Sequence, residues 1–346
     1  MKIALDATYS VGRNLTGLGV YSKAILNGLA QAHGDAGFLW CYRPHRFLRS
    51  LSIAVPRNCS RRLLLTGRPR SADLFHALNQ RVDSQRSGPT VATFHDLFVM
   101  SGNYSTPEFR ARFSAQAIAA AQRSELIIAV SQFTANQIQH LLKVEPARIR
   151  VIHHGYIPPR GARPTSGRER MILFVGALQR RKNVARLVEA FELAAAGWQL
   201  VLAGSFGFGS EEILTRIHAS RRRSDIQVLG YVSDSQLEDL YERASIFAFP
   251  SLDEGFGMPL LDAMAHGVPV LTSNVSALPE VSGDAALLVD PLNVSSIAGG
   301  LDQLMRDSTL GHELTQKGLL RCREFSWERA VAKTWNVYEE LLPRRS

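Results

Sequence analysis

Cysteine is scarce in this 346-residue sequence: Cys41, Cys59 and Cys322 are odd in number and widely spaced. No pair has metal-ligand spacing and no disulfide framework can be built, so a reduced, cytoplasmic home is expected. No apolar run approaches the roughly 20 residues of a membrane span. The opening MKIALDATYS is interrupted too soon for a signal peptide and reads as a first strand. There is no D-x-D triplet, no short internal repeat and no low-complexity tract. A complete G-x-G-x-x-G fingerprint is also missing. After Gly17 and Gly19 the third glycine is replaced by Ser22, well past the first strand. That absence counts against a hydride-transferring oxidoreductase.

Acid is scarce in the first half. Residues 1–160 carry 20 Lys+Arg against 8 Asp+Glu, whereas residues 161–346 carry 20 against 23. The stretch from Arg43 to Arg70 holds eight arginines and no acid. Such asymmetry fits either a solvated basic face or an anionic partner for the first half. Nucleic acid, an acidic membrane and an acidic acceptor are the candidates.

What is present is an alternation of strand-like and helix-like segments. Lys2–Ala7, Val91–Phe94 and Leu126–Val130 read as strands, and Val20–Gln31 and Pro107–Ser124 as helices. A Pro-, Gly- and Arg-rich linker follows over 155–170. The alternation then restarts with strands at Met171–Val175, Gln199–Ala203, Ile226–Leu229, Ile246–Phe249 and Pro269–Thr272. Between them lie helices at Val184–Ala195, Glu211–Ser220, Ser235–Arg243 and Pro259–His266. A last helix, Trp327–Leu342, carries Trp327, Val331, Trp335 and Tyr338 at helical spacing. This pattern predicts an α/β chain of two Rossmann-like, doubly wound domains over 1–160 and 161–326. The helix of 327–346 is expected to pack back toward the first domain. Open α/β sheets bind ligands beyond the carboxyl ends of their strands, so two domains facing across a cleft would offer two crevices.

Three segments carry the chemistry. The first, Phe247 to Glu280, runs from a buried strand into a loop with Glu254, Gly255 and Gly257, then into a helix with Asp262. Glycines let backbone N–H groups approach a ligand, and a helix N-terminus favours anionic or hydroxyl oxygens. Asp262 could equally complement the helix dipole alone. The second is FVGALQRRKNVARLVEAF, with Gly176 closing a strand and Arg181 and Lys182 opening a helix. The third is TFHDL, with His95 and Asp96 at a strand's end.

These segments resemble the retaining GT-B glycosyltransferases of family four, the group 1 type, whose signature is two glutamates with seven residues between them and Gly-Phe-Gly after the first. Here the pattern reads E-GFGMPLL-D, so Asp262 stands where the second glutamate is usual. The resemblance implies that Glu254 lies at the donor sugar and Asp262 at the ribose hydroxyls. It implies that the backbone of Gly255, Phe256, Gly257 and Met258 holds sugar and phosphate. It further implies that Arg181 and Lys182 bind the diphosphate, that His95 reaches the sugar, and that Gly17 and Gly19 lie near the diphosphate and acceptor. VIHHGYIPP departs from the family, which usually places an aspartate soon after the glycine.

The expected activity is therefore transfer of a hexose, mannose first, with retention, from GDP-mannose or a UDP-sugar to a saccharide or lipid-linked acceptor. Two fixed cations would stabilise the departing diphosphate in the place of a metal, and no cofactor or metal is expected. The arginines, with Phe47, Leu48, Leu51 and Leu63–Leu65 among them, could dock the first domain on the inner face of an anionic membrane. No nucleic acid is expected. The alternatives are a basic nucleic-acid-binding protein and a sugar-nucleotide epimerase or phosphorylase on the same architecture.

Overall fold

The structure is a computed structural model that describes residues 1–12, 15–65, 71–83, 88–159 and 167–342. The chain divides into two compact units. The first comprises Met1–Ser101, Pro107–Gly155 and Ser326–Ser346, and the second comprises Gly102–Thr106 and Tyr156–Phe325.

The first unit is built on seven parallel strands: β1 (Lys2–Asp6), β2 (Gly37–Tyr42), β3 (Cys59–Leu63), β4 (Leu74–Ala77), β5 (Thr90–Phe94), β6 (Leu126–Ala129) and β7 (Ile149–Val151). Their order is β3-β2-β1-β4-β5-β6-β7. Alternate residues of β1 serve opposite faces. Ile3 and Leu5 pack with Tyr21, Ile25 and Leu29 of the helix Gly17–Ala32 and with Val331 and Tyr338 of the helix Trp327–Leu341. Ala4 packs on the other face with Leu39, Phe75 and Ala92. The C-terminal helix thus completes one layer of the first unit. Its start needs Gly155, where a Cβ would come within 2.2 Å of the Trp327 nitrogen.

The second unit has six parallel strands: β8 (Glu169–Val175), β9 (Gln199–Ala203), β10 (Ile226–Gly230), β11 (Ala244–Phe249), β12 (Val270–Ser273) and β13 (Ala286–Val289). Their order is β10-β9-β8-β11-β12-β13. From β8 the chain winds outward to β9 and β10, then returns to β11 and winds the other way. The order reverses between β8 and β11, and the crevice of a doubly wound sheet lies at such a switch. The corresponding switch in the first unit lies between β1 and β4.

Candidate active site

In the second unit the loops after β8 and β11 flank the switch. The β8 loop begins at Gly176, whose φ of +154° puts it where L side chains are strained. It then folds into a short turn, Arg180–Lys182, closed by Asn183 in the left-handed conformation at φ +60°. The buried Asn183 amide donates to the carbonyls of Pro250 at 2.9 Å and Pro291 at 2.7 Å. The Leu252 N–H donates to the Arg181 carbonyl at 2.9 Å. These bonds fasten the β8 loop to the β11 loop and fix where the two cations stand.

Arg181 and Lys182 converge on Glu254. Arg181 Nη1 lies 3.1 Å from Glu254 Oε2, and Lys182 Nζ lies 2.5 Å from Oε1. The side chains are 10, 12 and 8% exposed, so the triad is nearly dry and strongly coupled. Arg181 also donates to the Asp253 carbonyl, and Lys182 sits over the Phe249 ring at 4.8 Å. Burial pushes the Glu254 carboxyl up, but Lys182 and Arg181 pull it down further, and the net direction is down. Glu254 is therefore an anion held by two cations. Arg180 turns away to pair with Glu212 at 2.9 Å.

The β11 loop ends at Gly257, whose φ of +108° is left-handed and whose Cβ would meet Leu278 at 2.8 Å. Met258 then opens the helix Met258–Ala265, with Pro259 in its first turn. Gly255 is buried and Met258 half-buried. Phe256 is buried edge-on to Phe325 at 5.7 Å, so its ring is a packing anchor and only its backbone remains for a ligand. Asp262 lies in the second turn, half-buried. Among the described residues nothing hydrogen-bonds its carboxyl, and burial raises its pKa to about 7. An acceptor oxygen without a donor is suited to a ligand that brings hydroxyls.

In the first unit His95 follows β5 and is half-buried. Its Nε2 lies 3.0 Å from the Leu78 carbonyl. A carbonyl only accepts, so Nε2 carries the proton. Burial pushes the imidazolium pKa down to about 4, against an upward pull from that carbonyl. The ring is neutral at pH 7 and Nδ1 holds a lone pair. Asp96 accepts from Gln80 at 3.3 Å through its backbone. Gly17 is exposed at the first turn of its helix, while Gly19 is buried with its Cβ position 3.0 Å from the Tyr9 carbonyl. Gly19 thus serves close packing.

One expectation needs correcting. Arg43 is no part of a basic surface: it is 4% exposed and pairs with Asp6 at 3.1 Å and with Asp83. Both acids lie outside the acid-free stretch, at Asp6 and Asp83, so local sequence hid them. Arg68 and Arg70 lie outside the described residues. Two features escaped the sequence reading. Gly204, at φ +152°, closes β9 as Gly176 closes β8, and a Cβ there would lie 1.9 Å from the Gly176 carbonyl oxygen. Asn183 bridges the two loops. The signal for each was present, a glycine just past an apolar strand and an asparagine after the paired cations.

Comparison with known proteins gives the family. The family model for glycosyl transferases group 1 matches residues 160–321, and that for glycosyltransferase family 4 matches residues 9–158. The chain is 33% identical over 267 residues to O-antigen chain mannosyltransferase B of Escherichia coli, covering 72% of this chain and 70% of that protein. It is 29% identical over 274 residues to the serotype-specific mannosyltransferase WbdA of Escherichia coli. That match covers 73% of this chain but 34% of WbdA, so the chain spans about a third of that relative. Sucrose-phosphate synthase from Thermosynechococcus elongatus superposes with a TM-score of 0.79 over 99% of both chains at 20% identity. The two parallel Rossmann-like sheets are those of the GT-B fold. The chain belongs to the group 1 glycosyltransferases.

Proposed function

We propose that this glycosyltransferase moves a hexose, mannose first, from a nucleotide diphosphate sugar to a saccharide or lipid-linked acceptor with retention of configuration. The observation that carries the reading is the Arg181–Lys182–Glu254 triad at the switch of the second sheet. In the free chain the Glu254 carboxylate neutralises the two cations. A diphosphate is the ligand whose charge could take its place. As the glycosidic bond breaks, negative charge grows on the departing diphosphate, and fixed cations stabilise it most in the transition state. Arg181 and Lys182 would do this without a divalent metal. Glu254, released, would accept hydroxyls of the sugar. Asp262 would accept the ribose hydroxyls, Gly176 and the backbone of Gly255–Met258 would approach the phosphates, and His95 Nδ1 would accept a sugar hydroxyl.

Retention through a covalent sugar requires a second carboxylate about 5 Å from the first. The carboxylate seen between the two cations is that of Glu254. The proposed course is departure of the diphosphate and attack by the acceptor hydroxyl on the same face, with a phosphate oxygen taking the proton. The mannosyl donor is supported by the mannosyltransferase relatives, with GDP-mannose first and UDP-sugars next. A polysaccharide acceptor is supported by the O-antigen relative.

A peripheral membrane contact at a cytoplasmic face belongs to this proposal. Leu48, Leu51, Leu63 and Leu65 are 78, 57, 44 and 64% exposed, and Arg49, Arg57 and Arg62 are exposed in the same stretch. Among the described residues no helix is long and apolar enough to cross a membrane.

The experiment is a thermal-shift panel of GDP, UDP, dTDP and ADP and their sugars, followed by turnover of the ligand that raises the melting temperature. Arg181→Ala and Lys182→Ala should each lower turnover roughly 100-fold or more. Unchanged turnover in both variants would overturn the reading.

A further inference from the structure

A polar chain runs through the core of the first unit where apolar packing would serve. Tyr338 Oη lies 2.6 Å from His76 Nδ1, His76 Nε2 lies 2.8 Å from Thr93 Oγ1, and Thr93 Oγ1 lies 2.9 Å from Tyr21 Oη. His76, Thr93 and Tyr338 are 0% exposed and Tyr21 is 1% exposed. The chain ends beneath His95. The Tyr21 ring meets the His95 ring edge-on at 4.7 Å and stacks on His154 at 4.9 Å. Trp327, from the same helix as Tyr338, touches both partners, 6.2 Å from Tyr21 and 5.8 Å from His154. The C-terminal helix therefore reaches Tyr21 twice, directly through Trp327 and indirectly from Tyr338 through His76 and Thr93, and the Tyr338–His76 bond spans 262 residues of sequence.

Replacing such a network with apolar side chains is often no loss in stability. A satisfied buried network does fix one geometry, because its inner members, His76 and Thr93, have a directional partner on both sides and hold the two tyrosine hydroxyls at its ends. What this one fixes is the tilt of Tyr21, and Tyr21, with the His154 ring stacked on it, is the wall against which His95 rests. The Leu78 carbonyl sets the proton on Nε2. It leaves the imidazole free to swing about that bond unless a neighbouring ring stops it.

We propose that Tyr338, His76, Thr93 and Tyr21 form a positioning chain through which the C-terminal helix sets the orientation of the His95 imidazole. Its catalytic consequence rests on the reading of His95 as the acceptor for a donor-sugar hydroxyl. None of the four touches substrate. They act through His95, and the chain is severed by removing one hydroxyl at either end or in the middle.

The test uses the full chain with Tyr338→Phe, Thr93→Val, the double variant, Thr93→Ser and His95→Ala. The His95 ring nitrogens are followed by two-dimensional NMR, the donor-dependent kcat and KM by turnover, and bare nucleoside diphosphate affinity by calorimetry. Tyr338→Phe and Thr93→Val should each shift the His95 resonances and lower kcat roughly tenfold, as lost orientation does. KM and diphosphate affinity should stay within twofold. The double variant should lose no more than the worse single one, because both cut one chain, and Thr93→Ser should keep wild-type kcat. If Tyr338→Phe does not fold, the Thr93→Val and Thr93→Ser pair decides by the same criteria. Unmoved His95 resonances in a folded, severed variant overturn the proposal. So does wild-type kcat in such a variant when His95→Ala is impaired. If the resonances move but His95→Ala turns over normally, the positioning chain stands and the sugar-contact reading of His95 falls.

Discussion

Lys182 Nζ and Glu254 Oε1 are 2.5 Å apart, and this ion pair occupies the cations on which a diphosphate would depend. Glu254 is in that sense a rival of the ligand it serves. Glu254→Gln keeps the shape and removes the competing charge. Bare nucleoside diphosphate should bind it about 3–10-fold more tightly, roughly 0.7–1.4 kcal/mol, while sugar transfer falls roughly 100-fold or more. Calorimetry beside turnover measures both. Weaker diphosphate binding in the variant would show that Glu254 does not compete.

Asp262 gives the opposite trade. Its pKa is raised to about 7 by burial, so the folded chain holds a proton that an unfolded aspartate has released between about pH 4 and 7. On this account stability falls as pH rises through that window, because ionising the buried carboxyl is costly. Asp262→Asn should raise the melting temperature at pH 8 by roughly 2–6 °C and weaken nucleotide binding roughly tenfold. An unchanged melting temperature at pH 8 would mean that the carboxyl is well solvated.

Three histidines packed into the first unit work in the other direction. Burial lowers His76 to about 3 and His95 to about 4, and lowers His154 well below its ordinary value. Unfolding at pH 5 takes up protons on His76 and His95, so these two stabilise the fold above about pH 6.5 and that stability is lost as pH falls toward 4. Each contributes a slope of about 1.4 kcal/mol per pH unit in that window. Denaturant titrations at pH 7 and pH 5 should show the drop, and His76→Asn should remove about one proton from it. A pH-independent midpoint for the wild type would contradict neutral His76 and His95.

Gly204 is closed to substitution. A Cβ would sit 1.9 Å from the Gly176 carbonyl oxygen, and φ is +152°. Gly204→Ala must separate the loops after β8 and β9, at a cost of roughly 2–4 kcal/mol. The matching control is Gly299→Ala, where a Cβ would meet nothing within 4 Å. Equal melting temperatures for the two variants would rule out the close approach.

The second sheet was the more legible. Its strands β8, β9 and β11 are continuous apolar runs bounded by glycine or proline, so their order along the chain could be read directly. In the first sheet β2, β3, β4 and β7 are not evident from the sequence. β3 lies at the edge, is half covered, and carries Arg61 and Arg62 among its five residues. β4 and β7 have only four and three residues, too few for a period to appear. The pairing of Arg181 and Lys182 with Glu254 needed a known signature, because composition cannot say that loops 72 residues apart meet. The burial of Arg43 was illegible for the same reason: its partners, Asp6 at the end of β1 and Asp83 beyond β4, lie 37 and 40 residues away in the sequence.

The helix Trp327–Leu341 belongs to the layer that covers Ile25 and Leu29. During synthesis those side chains emerge hundreds of residues before their lid. Domains ordinarily fold in order as they leave the ribosome. Here the layer over the leading sheet stays incomplete until the second unit has been translated.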